Sequence, residues 1–289
     1  MPIATPWSAS LGLRHPIVNA PMGGAAGGRL AAAVSAAGGL GMIGMGSAAS
    51  AEALTAELAE LGAVRPFGIG LVHWVTEAAP GLLDTALAAR PDLLCVSFGD
   101  EWSWVSRARA AGITTATQVA SVPAALRAVD AGVQVLVARG AEGGGHGEPR
   151  VGTLPLLAEV LDAVEVPVLA AGGIATGRAL AAVLAAGAAG AWLGTVLAAS
   201  TEALTRPADR DLLLAAASTD TVNTSEFDLA LGYSWPPWQP ERVLVDADGA
   251  ALPVNAGQGV GAVRAARPAA VVLDELCGQA AGLLGRWGR

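Results

Sequence analysis

Residues 133–147 read VQVLVARGAEGGGHG, a short valine-rich segment followed at once by a glycine-rich loop. The segment 133–138 is apolar and β-branched, which is typical of a strand buried on both faces of a parallel sheet. The three glycines that follow allow left-handed backbone conformations and a close approach to a flat ligand. His146 stands at the end of this loop. If residues 133–138 form a barrel strand, the loop lies on the catalytic face; a flexible surface loop with a solvated histidine is the alternative.

The same strand-then-helix pattern continues in both directions from this stretch. The predicted strands are residues 16–20, 40–43, 67–72, 92–97, 113–119, 133–138, 166–170 and 188–193. The predicted helices between them are residues 29–37, 50–61, 81–89, 102–111, 122–131, 153–164 and 176–186. Alternating strands and helices imply parallel pairing, and this number of units favours a closed (β/α)8 TIM barrel over an open doubly wound sheet.

The chain divides into three predicted parts. Residues 1–204 form the barrel. Residues 205–255 lose the alternation and contain Trp235-Pro236-Pro237-Trp238, which predicts a small appended subdomain or lid near the barrel mouth. Residues 256–289 are helical in pattern, and we expect them to pack on the outside of the barrel.

Composition excludes several functions. With 53% hydrophobic and 15% charged residues, the chain is too apolar to be disordered. The net charge is −8 with no basic block, which argues against nucleic acid or an anionic membrane surface as a partner. All 17 basic residues are arginine, so Schiff-base, pyridoxal-phosphate and P-loop lysine chemistry are excluded.

The long uncharged runs and the amino-terminal residues bear on location. The runs 30–51 and 179–201 are rich in alanine and glycine, and each divides into a helix-like and a strand-like piece, so we expect no membrane span. Residues 1–10 contain no readable signal peptide, and a cytoplasmic location is expected.

Three local patterns do not indicate a functional site. Residues 39–44 match the dinucleotide pattern GxGxxG, but the glycines fall inside a predicted strand, so we reject that interpretation. Cys95 and Cys277 have no metal-site or redox spacing and are expected to be packing thiols. The histidines lack HExxH spacing, so no metal site is predicted. Of these histidines, His15 is expected to be structural and His73 to line the mouth.

His146 is the candidate acid or base, because its side chain titrates near neutral pH. The last two barrel strands end in AGGI (171–174) and LGT (193–195). Loops at these places commonly bind phosphate through backbone N–H groups, although close helix–sheet packing also favours glycine. Gln118 ends the fifth strand with an amide that can bond the mixed donor–acceptor edge of a flavin, or it is simply a satisfied buried glutamine.

These motifs together resemble one family. NAPMGG (19–24), GAEGGGHG (140–147), AGGI and LGT closely resemble the nitronate monooxygenases, formerly called 2-nitropropane dioxygenases, which are FMN-dependent (β/α)8 barrels. The resemblance runs from about residue 17 to residue 203 and continues weakly through Phe227-Asp228 and Trp235-Pro236. It implies that His146 is the catalytic base. The cofactor-binding residues it implies, with FMN as cofactor, are Ala20, Pro21, Met22, Gly70, Gln118, Gly140, Gly145, Gly172, Gly173, Gly194 and Thr195.

The chain departs from the family pattern at two positions. Gly70 stands where many members have asparagine, which removes a possible flavin contact. Arg139 stands where many have glutamine, and this cation either attracts an anionic nitronate or pairs with Glu142.

The resemblance implies oxidation of nitronates or nitroalkanes with O2, for which one histidine and a flavin suffice. Two alternatives stay open: an NAD(P)H-dependent quinone or enoyl-acyl-carrier-protein reductase of the same barrel type, and a non-catalytic flavin-binding protein. The sequence leaves the oligomeric state open.

Overall fold

The computed structural model describes residues 3–286. Its strands are β1 (Ile17–Asn19), β2 (Gly41–Gly44), β3 (Phe67–Val72), β4 (Leu93–Ser97), β5 (Thr114–Val119), β6 (Val135–Arg139), β7 (Gly145–His146), β8 (Val168–Ala171), β9 (Gly190–Leu193), β10 (Thr221–Thr224), β11 (Glu241–Val245) and β12 (Ala251–Asn255). Eight of them form one parallel sheet in the order β1-β9-β8-β6-β5-β4-β3-β2. The predicted (β/α)8 architecture is therefore confirmed.

The barrel is closed between its first two strands by few backbone contacts and one side chain. Val18 forms an isolated parallel bridge with Leu40. The fully buried Asn19 side chain then takes over the pairing, because its amide donates to the Met42 carbonyl at 2.8 Å and accepts from the Met42 N–H at 2.7 Å. An asparagine side chain thus continues the hydrogen bonding where β1 ends.

Helices lie between the strands and outside the sheet. They are α1 (Pro6–Ser10), α2 (Gly28–Ala36), α3 (Ala51–Leu61), α4 (His73–Ala78), α5 (Leu82–Ala88), α6 (Ser103–Ala110), α7 (Val122–Asp130), α8 (Thr153–Ala163), α9 (Gly177–Ala185), α10 (Thr195–Ala198), α11 (Pro207–Ala215), α12 (Glu226–Leu231) and α13 (Ala269–Leu284). Three of the barrel helices begin where a hydroxyl accepts a first-turn N–H, at Ser50, Ser121 and Thr176. None of the helices among residues 3–286 is long and apolar enough to cross a membrane.

The short helix α1 closes the barrel at the amino ends of the strands, and the sequence pattern did not predict it. Thr5 and Ser8 form a capping box at its start. Trp7 belongs to the apolar cluster inside the barrel, which also includes Leu40 and Leu93. The opposite end of the barrel, where the strands finish, is therefore the open mouth.

The region 205–255 contains a sheet of its own, where the sequence showed no alternation. β11 pairs antiparallel with β10, β12 and β7. Residues 143–147 alone suggest a free loop. Because β7 belongs to this sheet, His146 instead lies opposite Glu241 in an antiparallel ladder.

The helical interpretation of residues 256–268 is wrong. These residues form a short 3₁₀ turn, Gln258–Ala262, and then an irregular segment. Gly257, Gly259 and Gly261 disfavour an α-helix there, and the long helix α13 begins only after Pro268. α13 packs against α9 and α2 on the outside of the barrel. Residues 287–289 of the predicted tail lie outside the described residues.

Candidate active site

One half of the barrel mouth is lined by residues with little or no side chain. A Cβ placed on Gly70 would lie 2.2 Å from Pro21 Cβ, and one on Gly44 would lie 2.3 Å from the Pro21 carbonyl carbon. The absence of both side chains lets Pro21 lie across the ends of β2 and β3. Gly70 therefore supports Pro21, while Ala20 and Met22 flank it and remain half-buried.

The two predicted phosphate loops are close-packed and keep free donors. Gly172 and Gly173 have φ of +114° and +66°, conformations that favour glycine. Among the described residues, the N–H groups of Gly173 and Thr195 have no hydrogen-bond acceptor. Gly194 precedes Thr195, and a Cβ placed on it would lie 3.7 Å from Met22 Sδ and 3.9 Å from Ala20 Cβ, which is ordinary contact distance.

The 3₁₀ turn links these two loops, which the sequence pattern did not suggest. The Gly257 N–H donates to Thr195 Oγ1 at 2.9 Å. A Cβ on Gly259 would lie 3.0 Å from the Gly173 carbonyl oxygen, so the turn packs directly on that loop. The glycine spacing GQGVGA in 257–262 is the sequence signal for this contact.

Gly140 and Glu142 join the loop after β6 to the start of α8. The Glu142 carboxylate accepts from the Thr153 N–H at 2.9 Å and from its hydroxyl at 2.8 Å. A Cβ on Gly140 would lie 2.2 Å from Thr153 Oγ1, and the Gly140 N–H donates to the Ala171 carbonyl at 2.8 Å. Gly140 thus provides close packing behind the mouth.

The glycine-rich loop wraps around Arg139. Arg139 Nη2 donates to the carbonyls of Gly143, Gly144 and Gly145 at 2.7, 3.2 and 2.9 Å. A Cβ on Gly143 would lie 2.8 Å from Arg139 Nε, so this glycine is needed for the backbone to approach the guanidinium. Burial, with a smaller contribution from Arg242, lowers the pKa of Arg139 to about 10, and the group stays cationic at neutral pH.

His146 forms a buried pair with a carboxylate from a distant helix. Its Nε2 lies 2.8 Å from Asp228 Oδ2, and the two side chains are 13% and 8% exposed. Burial lowers the pKa of His146, and the Asp228 carboxylate raises it by a smaller amount. A neutral imidazole beside an ionised carboxylate donates from Nε2, which leaves Nδ1 as the basic nitrogen. Asp228 lies in α12 and was not among the predicted site residues.

Glu241 completes a cluster with this pair. Burial and the Asp228 carboxylate raise the pKa of Glu241 to about 7. One ligand atom from each of His146, Asp228 and Glu241 lies within 4.8 Å of the others, so these three residues are, among residues 3–286, a set that could hold a cation. The sequence predicts no metal site, because the histidines lack HExxH spacing; Asp228 and Glu241 lie far from His146 along the chain.

Aromatic side chains cover the imidazole. The rings of His146 and Trp235 are stacked, with centroids 3.5 Å apart and planes 5° apart. Trp235 Nε1 donates to Ser47 Oγ at 2.8 Å, which fixes the indole to the loop after β2. Phe98 meets the indole edge-on at 4.9 Å. The segment around Trp235 therefore reaches across the barrel mouth.

Beside this cover lies an open cleft that includes Gln118 and Arg139. Gly147, Pro236 and Trp238 line its other side. The backbone N–H of Gln118 donates to Ser97 Oγ at 3.0 Å, so Gln118 is held at the carboxyl end of β5. The cleft is bounded by both the barrel and the segment 236–239.

Among residues 3–286, neither of the other histidines nor either cysteine bonds to the His146–Asp228 pair. His15 is buried and lies 3.0 Å from Asp274, a structural contact with α13. His73 begins α4, with Nε2 3.7 Å from Glu101. Cys95 and Cys277 are buried, which raises the pKa of each thiol to about 12.

Fold and site together define a class: a (β/α)8 barrel with a buried histidine–carboxylate pair at the catalytic face. The chain belongs to the nitronate monooxygenase family, whose model matches residues 5–82 and 75–231. The family resemblance inferred from the motifs is therefore confirmed.

Relatives of known name are oxidoreductases. A (3aS,4S,5R,7aS)-5-hydroxy-7a-methyl-1-oxo-octahydro-1H-indene-4-carboxyl-CoA dehydrogenase of Mycobacterium tuberculosis is 33% identical over 79% of this chain and 65% of its own length. The chain thus spans just under two thirds of that relative.

Two solved structures match along nearly their whole length. FabK from Thermotoga maritima has 27% identity and a TM-score of 0.87, with 99% of both chains covered. Nitroalkane oxidase from Streptomyces ansochromogenes has 27% identity and a TM-score of 0.82, covering 97% of this chain and 99% of that one.

Proposed function

We propose that the protein is an FMN-dependent oxidoreductase that oxidises nitronates or nitroalkanes with O2, with His146 as the catalytic base. The observation that carries the proposal is the buried His146–Asp228 pair at the barrel mouth, where Nδ1 keeps accessible surface and the carboxylate fixes Nε2. Membership of the nitronate monooxygenase family and the likeness to nitroalkane oxidase support the substrate class.

The residues present suit FMN. Gly173 and Thr195 offer N–H donors without acceptors among residues 3–286, as a terminal phosphate requires. Pro21 and its neighbours form a surface without protruding side chains, on which a planar ring can lie. Gln118, which lines the cleft with Arg139, provides an amide that can both donate and accept a hydrogen bond. The flavin, when bound, supplies the electron acceptor that links substrate oxidation to O2.

His146 performs the proton transfer in this proposal. Its Nδ1 removes the α-proton of a neutral nitroalkane, and Asp228 stabilises the imidazolium that forms. Burial under Trp235 keeps the imidazole neutral near pH 7, so the base is in its active form. A preformed nitronate has already lost that proton and needs His146 less.

A second candidate is an NAD(P)H-dependent reductase with the same barrel and flavin. The likeness to FabK, which covers 99% of both chains, favours it, as does the dehydrogenase name of the Mycobacterium relative. In that case the flavin, when bound, would supply the acceptor for hydride from a nicotinamide. A non-catalytic flavin-binding role is disfavoured, because it would not need the buried pair of His146 and Asp228.

One experiment separates these candidates. The purified yellow protein is mixed anaerobically with propane-2-nitronate in one cuvette and with NADH or NADPH in another. The proposal predicts bleaching of the flavin band by the nitronate. Bleaching by the nicotinamide alone supports the reductase, and bleaching by neither contradicts both. Flavin released by denaturation should be FMN, and recovery of FAD would contradict the cofactor assignment.

A further inference from the structure

Arg139 occupies an unusual place for a cation. It is the last residue of β6 and shares the inward direction of Val135 and Val137, which pack inside the barrel. Its side chain therefore belongs to the top layer of the barrel interior. The residue is only 6% exposed, yet it lines the open cleft together with Gln118.

Only part of the guanidinium is bonded. Nη2 donates to the three glycine carbonyls of the loop. Nε and Nη1 have no acceptor among residues 3–286, and neither atom is sealed from solvent. These two nitrogens can therefore donate to a ligand in the cleft.

No carboxylate of the described residues accepts a hydrogen bond from Arg139. Glu142, which the sequence suggested as a partner, is bonded to the Thr153 N–H and hydroxyl instead. Glu148 also lines the cleft, and Arg150 lies 3.8 Å from its carboxylate. The Glu142 charge stabilises the guanidinium only in part, since burial and Arg242 outweigh it and lower the pKa of Arg139. A buried cation with no hydrogen-bonded carboxylate is costly, and a negatively charged ligand would relieve that cost.

We propose that Arg139 forms an anion subsite that binds the negatively charged group of the substrate through an N–H group that the loop leaves free. This inference rests on the proposed function and makes the nitronate anion the form that is held in the cleft. Nη2 is taken by the loop carbonyls, so the fork is not free; Nη1 or Nε can each donate a charge-assisted hydrogen bond to an oxygen of a nitronate or a carboxylate. The site lies seven residues before His146, on the strand that carries its loop.

Methacrylate is a suitable probe, because it is planar and anionic like propane-2-nitronate and does not react. Methacrylamide has nearly the same shape without the charge. Each is titrated into the flavin-loaded protein, and binding is followed by the shift of the flavin absorbance. The variant Arg139→Gln should bind methacrylate about 10- to 100-fold more weakly, the scale of charged hydrogen bonds. Its affinity for methacrylamide should change less than about twofold.

The comparison of the two probes separates anion binding from loop positioning. If Arg139 only holds the glycine loop, both affinities fall together, and the proposal is overturned. Unchanged methacrylate binding in the variant, or no saturable binding to the wild type, overturns it as well. Arg150→Gln is the matched control, since it removes the same charge from the same loop at a side chain that is 77% exposed. It should alter neither affinity by more than about twofold.

Arg139→Lys provides a second variant if Arg139→Gln does not retain flavin. An ammonium can donate to the three carbonyls but has no second nitrogen to donate to a ligand, so methacrylate binding should weaken about tenfold with the loop intact. Failure of the anion-subsite proposal is distinguishable from failure of the proposed function. A protein that binds methacrylate through Arg139 and yet does not oxidise nitronates keeps the subsite and loses the activity.

Discussion

The two halves of the barrel mouth are built on opposite principles. Around Pro21, Gly70 and Gly194 the surface is bare, and backbone atoms and small residues define its shape. Around Arg139 and His146 the surface carries buried charge. In the proposed function, the first half holds the planar cofactor and the second half handles protons and anions.

The halves also differ in how the chain assembles them. The bare half comes from strand ends and the turns directly after them. The charged half depends on contacts between distant segments, since β7 pairs with β11 and His146 meets Asp228, 82 residues further along the chain. Substitutions in the bare half should therefore remove the cofactor, whereas those in the charged half should leave it bound and change its reactivity.

The largest effect is expected in the bare half, for Gly173→Val. A valine at φ +66° is strained, and its Cβ would lie 3.2 Å from Glu142 Cβ, beside the free N–H donors. We expect the flavin-to-protein ratio after purification to fall below about a tenth of the wild-type value while the barrel stays folded.

Gly62→Val is the matched control, because Gly62 has φ +67° and open space around it. Both variants should lose about 1–3 kcal/mol of unfolding free energy through backbone strain, measured by urea denaturation. Equal flavin contents in the two variants would show that Gly173 serves packing alone.

An intermediate effect is expected in the charged half, for Asp228→Asn. The variant should keep its flavin, but the His146 tautomer is no longer fixed, and reduction by a neutral nitroalkane should slow about 10- to 100-fold, less than loss of the base itself. The carboxylate raises the pKa of His146, so its removal should move the acid limb of the rate profile to lower pH. A stopped-flow pH series tests both effects. A limb that stays in place would mean that Asp228 does not act through the imidazole.

The smallest effect on rate is expected for Glu241→Gln, which mimics the protonated acid. The pKa of Glu241 is about 7 in the fold against an ordinary 4.5, so the folded state binds its proton more tightly. That contribution to stability is complete below pH 4.5 and is lost as the pH rises through 7. The variant should therefore be about 1–3 kcal/mol more stable than wild type at pH 8 and little changed at pH 4. Parallel pH dependences of the two proteins would contradict the assignment.

The sequence predicts the barrel because its signals are local. Strands such as β6 are continuous apolar runs, and helices such as α3 begin at a capping serine, Ser50. The glycine turns after β8 and β9 and the position of His146 follow from the same chain order.

The partners of His146 were not predictable in this way. Asp228 sits in a six-residue helix with no distinctive pattern, and the pairing of Glu241 with His146 is fixed only by the register of β11. The role of the loop glycines was only partly predicted. The sequence suggested that they approach a flat ligand, whereas Gly143 packs against Arg139. The departure from the family pattern at position 139 was the one sequence signal for that contact.

The central claim is that the charged half supplies the base, and His146→Ala tests it most directly. Flavin reduction is measured by anaerobic stopped-flow with 2-nitropropane and with its preformed nitronate, at matched flavin content, with His73→Ala as the control. Loss of a general base predicts a fall of about 10²–10⁴-fold with the neutral nitroalkane and a much smaller fall with the nitronate. A variant that reduces as fast as wild type with neutral 2-nitropropane would show that His146 is not the base.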